Sequence, residues 1–207
     1  MGVVCERWLT WWFAAFDTVQ SVLGDIEKDP ETGRAVHGHF QLQRPQVRLR
    51  AADGNTAETV KSNVPDLILI AGTLPESPMV QKGASLHFRF RRGQPFPGEP
   101  ILSWSINGEK GEIRVVSRAA AFLNIGVDSP PITTELYDFE TENVTDLKWE
   151  WADWQKDLPT PARNIGGLYE AFAAAHQRKG GEVGYPTFGD ALARHKQLEE
   201  LILGWHP

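Results

Sequence analysis

The densest polar chemistry in the sequence lies at Arg89, Arg91, Arg92 and Gln94, where strand-like alternation runs into Gly93-Gln94-Pro95. Guanidinium groups presented by a loop on a rigid sheet suit a carboxylate or a carbonyl, because their fork of N–H donors matches planar oxygen acceptors. The competing assignment is a solvated basic edge that discourages strand pairing. Arg91 and Gln94 are the candidate catalytic donors, and Arg92 is a candidate substrate ligand. Asp17, on a helix-patterned stretch, is the third catalytic candidate, with an ordinary solvated carboxylate as the competing assignment. Around it stand Trp8, Trp11, Trp12, Phe13 and Phe16, which occupy more than one helical face. One such face lines a pocket or a dimer contact, or all five pack in the core. Trp8, Trp12, Phe13, Phe16 and Trp104 are the candidate apolar substrate contacts.

Other chemistries are poorly supported. His37 and His39 alternate on one strand face and His87 lies on another strand, yet no His, Cys, Asp or Glu cluster has metal-ligand spacing, so no metal is expected. Ser103 and Ser105 flank Trp104 without the Gly-x-Ser-x-Gly elbow of a hydrolase. Trp149, Trp151 and Trp154 follow an acidic run and fit packing over a sheet edge better than ligand stacking. No Gly-x-Gly-x-x-Gly turn is present to cradle a dinucleotide pyrophosphate, and no cofactor is expected.

The elements that must position these residues follow from periodicity. Trp8, Trp12, Phe16, Val19 and Leu23 recur at helical spacing and Gly24-Asp25 follows as a stop, which predicts a helix over 8–23. From 36 to 150 the period changes to two. Strands are expected at Val36–Leu42, Val47–Leu49, Leu67–Ala71, Ser85–Phe90, Ile101–Ile106, Glu112–Val116, Phe122–Val127 and Thr133–Phe139. Asn107-Gly108 suggests a hairpin, with Glu109-Lys110-Gly111 lengthening the connection. Helical rules return over 160–204: Thr160 can cap a helix with Pro161 at its first position and an apolar stripe of Ile165, Leu168, Tyr169 and Phe172, and Thr187 opens another. A helix, a run of strands and two helices, without βαβ alternation, predict a single α+β domain over 1–207 whose mainly antiparallel open sheet is covered on one face by helices.

Composition bounds the partners. Hydrophobic residues make up 41% of the chain and no apolar run is long enough to span a bilayer, so a soluble protein is expected, with no membrane partner. A net charge of −6 gives no general basis for neutralising phosphates, which argues against nucleic acid. The lone Cys5 fits a reducing, cytoplasmic location.

The runs Phe16–Asp25, Val64–Leu74, Arg92–Gly98, Trp104–Val115 and Pro161–Ile165 together resemble the C-terminal, substrate-side domain of fungal oxidoreductases of the glucose–fructose oxidoreductase and inositol dehydrogenase (Gfo/Idh/MocA) type, in the branch that contains the repressor of the yeast galactose regulon. The Gly108-Glu109-Lys110-Gly111-Glu112-Ile113 stretch is the most characteristic, and the resemblance extends from about Leu9 onward. It implies a sheet turn at Gly108–Gly111, self-association through the open sheet face as a homodimer, and a ligand space between the Trp8–Phe16 helix and the sheet residues leading to Arg91, Arg92 and Gln94. It also implies what is missing. Counting back from Asp17 puts Ala14 where dehydrogenases of this type carry a histidine that works as acid or base, and the Rossmann half lies outside the resemblance.

Two functions from different classes follow. The first is a cofactor-independent cyclase or isomerase, pericyclase-like, acting on an apolar natural-product intermediate held by the aromatic helix and the Arg/Gln loop, since such a reaction needs little beyond a shaped apolar cavity and a few donors. The second is a non-catalytic binding or regulatory protein of the galactose-repressor type. A third possibility is the substrate-side part of a longer NAD(P)-dependent oxidoreductase.

Overall fold

The structure, a computed structural model, describes residues 15–28, 37–50, 55–93, 95–118, 132–177, 184–202 and 205. The chain divides into two compact units: residues 1–93 with 188–207, and residues 94–187. It is α+β, with every pairing between strands antiparallel.

Unit 1 is built on the helix over 15–23 (α1), the strands β1 (His37–Gln41), β2 (Gln46–Arg50), β3 (Thr56–Lys61), β4 (Leu67–Thr73) and β5 (Ser85–Arg91), and the C-terminal helix whose range is Phe188–Ile202. Its main sheet runs β1-β4-β5, and β2-β3 form a separate hairpin with a register shift at Leu49/Arg50. Register puts Phe40, Ile68 and Phe90 in one row and Gly38, Ile70 and Phe88 in the next, all on one face. Ile68 and Ile70 are buried there, and the Phe16 ring of α1 meets the Phe88 edge at 5.4 Å. The alternate residues Leu69, His87 and Arg89 point to the open face. Every buried hydrophobic side chain among the described residues belongs to this unit. The helix α1 ends as its sequence dictates. Gly24 adopts φ 94°, a conformation that favours glycine, and its N–H closes on the Gln20 carbonyl at 2.8 Å.

Unit 2 carries the meander β6 (Leu102–Asn107), β7 (Gly111–Ser117), β8 (Thr133–Asp138) and β9 (Asn143–Asp146), then α2 (Asp153–Lys156) and α3 (Thr160–Gln177); the C-terminal helix of unit 1 is therefore α4. The β6–β7 reversal is the hairpin expected at Asn107-Gly108 with the longer connection. Gly108 N–H reaches the Gly111 carbonyl at 2.8 Å, and a Cβ at Gly111 would run into the Tyr137 carbonyl of β8, so only glycine permits that approach. Leu102, Trp104, Ile106, Ile113, Val115 and Leu136 share one half-buried face.

The strands fall into three sheets among the described residues. Two of them, β3 and β9, carry no alternation of apolar and polar residues: Thr56–Lys61 is almost wholly exposed and Asn143–Asp146 entirely so. They exist because a hairpin partner supplies their hydrogen bonds, which hydropathy does not register. The strand expected at Phe122–Val127 lies outside the described residues. The stripe on α3 behaves differently from a core stripe, since Ile165, Leu168, Tyr169 and Phe172 are all exposed. The tryptophans before it do pack structurally: Trp149 and Trp151 meet edge to face at 4.7 Å, Arg163 lies 5.6 Å from the Trp151 ring centre, and Gly166 lets Trp154 rest against α3. No helix among the described residues is long and apolar enough to cross a membrane.

Candidate functional site

Two polar clusters in unit 1 take up most of the charged candidates. The first centres on Arg194, near the middle of α4. Its Nε donates to Asp17 Oδ1 at 2.6 Å, its Nη2 to Asp25 Oδ1 at 2.7 Å, and its Nη1 to Gln197 Oε1 at 2.6 Å and to Gln20 Oε1. Gln20 is 2% exposed and also donates to Gln197 at 3.1 Å. Helical spacing explains the assembly. Asp17 and Gln20 are three apart on α1, as Arg194 and Gln197 are on α4, so each pair shares a face and the guanidinium spans both. Asp17 therefore serves as an anchor between the first and last helices of the unit, supported at the periphery by Lys28–Glu200 at 3.4 Å.

The second cluster surrounds Asp66, whose side chain is fully buried. Its Oδ1 accepts the Gln43 N–H at 2.7 Å and its Oδ2 the Arg44 N–H at 2.9 Å. Arg44 Nε and Arg92 Nη2 lie 3.5 Å and 3.6 Å from Oδ2. The two arginines also clasp each other reciprocally: Arg92 Nη2 donates to the Arg44 carbonyl at 2.8 Å, and Arg44 Nη2 to the Arg92 carbonyl. Burial pushes the Arg92 guanidinium below its ordinary value; the Asp66 carboxylate opposes that effect and the neighbouring Arg44 adds to it. The backbone of Asp66 completes the lock, taking a bond from Arg92 N–H and giving one to the Gln41 carbonyl, each at 2.8 Å. This carboxylate pins the β1–β2 connection to the start of β4 and the residue after β5.

The remaining candidates are dispersed. Phe16 is fully buried against Phe88 and belongs to the core of unit 1. Arg91 closes β5 on the face opposite Phe88, so the fold does not bring Phe16 and Arg91 to one side of the sheet. Trp104 lies in β6 of the other unit, on its apolar face. Trp8, Trp11, Trp12, Phe13, Ala14 and Gln94 fall outside the described residues, as does Cys5. Among the described residues no group of three or more His, Cys, Asp or Glu is placed to hold a metal ion. Sequence reasoning passed over Asp66, Arg44 and Arg194. A single acid wedged between Val64-Pro65 and the apolar run Leu67–Ile70 was the available signal for Asp66, because a carboxylate beside a buried strand needs partners.

The class is thus an α+β protein with open antiparallel sheets and few helices. No protein-family model matches the sequence, and no curated protein matches it. Solved structures do. A super-repressor variant of Gal80p from Saccharomyces cerevisiae superposes with a TM-score of 0.69 at 20% identity, covering 95% of this chain and 48% of that one. The transcriptional regulator Gal80p from Kluyveromyces lactis gives 0.65 at 17% identity over 93% of this chain and 42% of its own. A second S. cerevisiae super-repressor variant gives 0.64 at 18%, over 93% and 45%. This chain thus spans about half the length of the structures it resembles. The likeness shows that this chain shares the fold of about half of the Gal80p chain.

Proposed function

We propose that this chain is a non-catalytic binding or regulatory protein of the galactose-repressor type. The observation that carries the reading is the commitment of Asp17 to Arg194 and of Arg92 to Asp66 and the Arg44 carbonyl. Two of the polar groups on which a cofactor-free cyclase would depend are spent on holding the fold. The likeness to a transcriptional regulator points the same way. The cyclase reading rests on Trp8, Trp12, Phe13 and Gln94, outside the described residues, and on Arg91 and Trp104, which lie in different units. Thermal-shift screening separates the two. Stabilisation by a protein partner supports the binding reading; turnover of a polyene or terpenoid intermediate without NAD(P) refutes it.

Self-association belongs to the same proposal, and unit 2 offers the suitable sheet face. Its open side carries Arg114 paired with Glu135 at 2.8 Å, beside Tyr137 and Val144, both exposed. Charges of both signs around exposed apolar groups allow the face to oppose a copy of itself. A monomeric mass by light scattering at high micromolar concentration would refute this. A cytoplasmic location accompanies the proposal, on the strength of the lone Cys5.

A further inference from the structure

The connection between β4 and β5 carries the run Pro75-Glu76-Ser77-Pro78, which neither polar cluster uses. Three hydroxyl residues in the sequence stand directly before a proline, Ser77, Ser129 and Thr160, and of these only Ser77 also has a proline two residues earlier. Ser129 lies outside the described residues, and Thr160 is the first residue of α3, where an extended chain requires unwinding the helix. Ser77 belongs instead to the exposed stretch Glu76–Met79 and is held by one tight turn. Its N–H donates to the Val80 carbonyl at 2.9 Å, and its carbonyl accepts the Val80 N–H at 3.2 Å. Leu74 and Val80, 4% and 6% exposed, anchor the connection on either side of the tip, whereas Met79 is 81% exposed. The tip can therefore open by breaking two backbone bonds at the surface while both anchors stay packed.

The two prolines have separate physical uses. Pro78 has no N–H, so an enzyme pocket that offers that position no acceptor admits proline and penalises every other residue. Pro75 fixes its own φ and lowers the entropy lost when the segment is held extended. The turn also suits the modified state. Ser77 Oγ accepts the Met79 N–H at 3.2 Å and the Val80 N–H at 3.1 Å, so an anion attached there meets two backbone donors already in place. We propose that Ser77 is a phosphoacceptor for a proline-directed serine/threonine kinase. The Ser77 hydroxyl oxygen bonds to the γ-phosphorus of ATP, the bond from that phosphorus to the β–γ bridging oxygen breaks, ADP leaves with the electron pair, and the hydroxyl proton passes to the catalytic carboxylate of the kinase. Once the turn recloses, terminal oxygens of the phosphate take over the Met79 and Val80 N–H groups and tighten the tip. The assignment is independent of the binding-protein reading, since it concerns a turn that neither reading of the function employs.

The test uses the full chain, magnesium ATP and a purified proline-directed kinase of the mitogen-activated class, with a synthetic peptide covering Ala71 to Lys82 as the unfolded reference. Peptide mass spectrometry should place the phosphate on Ser77. Ser77→Ala should take up none in this segment, and Pro78→Ala should be modified at least about tenfold more slowly. Both variants lie at exposed positions, and circular dichroism checks that they fold. In the phosphorylated chain the Met79 and Val80 amides should exchange about threefold to tenfold more slowly than in the unmodified one. Modification of the peptide without modification of the chain overturns the proposal, by showing that the turn stays closed to the kinase. Failure on both overturns it by removing the recognition sequence, and so does a phosphate on Thr160 in place of Ser77 or an unchanged rate in Pro78→Ala. Unchanged or faster exchange at Met79 and Val80 overturns the assignment of the phosphate to those two donors.

Discussion

Removing the Arg194 guanidinium should loosen the junction between the first and last helices of unit 1 by on the order of 2–4 kcal/mol, and the contributions can be separated. The cleanest perturbation is Arg194→Met, which keeps most of the buried stem and deletes only the charged fork. Asp17 and Asp25, with side chains 55% and 64% exposed, return to water, so each lost ion pair is worth only about 0.2–1 kcal/mol. Gln20 has no such escape. At 2% exposure its Oε1 loses its donor without gaining a solvent partner, which costs about 1–3 kcal/mol. The larger share of the loss therefore comes from a neutral amide rather than from either carboxylate. Asp17→Asn should accordingly cost no more than about 1 kcal/mol, and breaking the exposed Lys28–Glu200 pair should cost still less. Because the chain has two compact units, a single denaturation midpoint is a poor readout. Hydrogen exchange resolved over α1 and α4 reads the junction directly. A Gln20→Ala/Arg194→Met double-mutant cycle should show coupling above about 0.5 kcal/mol. If Arg194→Met costs no more than Lys28→Met, the reasoning is wrong and the helices are held by Phe16, Val19, Leu198 and Leu201 alone.

Asp66→Ala should destabilise unit 1 by about 3–5 kcal/mol, since it strands two backbone donors and the partly buried Arg92; a loss of hydrogen-exchange protection in β4 and β5 of less than about tenfold would contradict this. Phe16→Ala should cost about 3–5 kcal/mol, whereas Phe96→Ala, at an exposed ring, should stay within about 0.5 kcal/mol, each read by hydrogen exchange resolved over its own unit. Asp138 accepts the Thr141 backbone N–H at 2.8 Å, the Thr141 hydroxyl at 3.0 Å and the Glu140 N–H at 3.0 Å, and these bonds, led by the Thr141 amide, hold its carboxyl below its ordinary value of 3.8. A depressed acid stabilises the β8–β9 turn fully above that ordinary value and loses the contribution as pH falls through the lower folded value. Protection of the Thr141 amide should hold constant from neutral pH down to the carboxylate range and fall beneath it, and Asp138→Asn should abolish the change. Calorimetry should detect no micromolar binding of NAD(H) or NADP(H) to this chain, which carries no Gly-x-Gly-x-x-Gly turn.

Local sequence rules sufficed for the elements with a one-sided burial pattern. The helix ending at Gly24, the strands Leu67–Thr73 and Ser85–Arg91, and the β6–β7 reversal at Asn107-Gly108 were all legible, because an apolar period or a glycine-dependent turn is written into adjacent residues. The α+β class followed from their order alone. Sequence could not reveal β3 and β9, whose exposed residues carry no hydrophobic signal and whose hydrogen bonds belong to the partner strand. Nor could it reveal which polar groups are spent. Asp17 and Arg194 are 177 residues apart, and Asp66 meets Arg44 and Arg92 from two different connections, so no local spacing records either cluster. Only the closing of α4 onto α1 and the antiparallel register of β1, β4 and β5 decide that these charges hold the fold together, while His37, His39, His87 and Arg89, which look unrelated along the chain, share one open face.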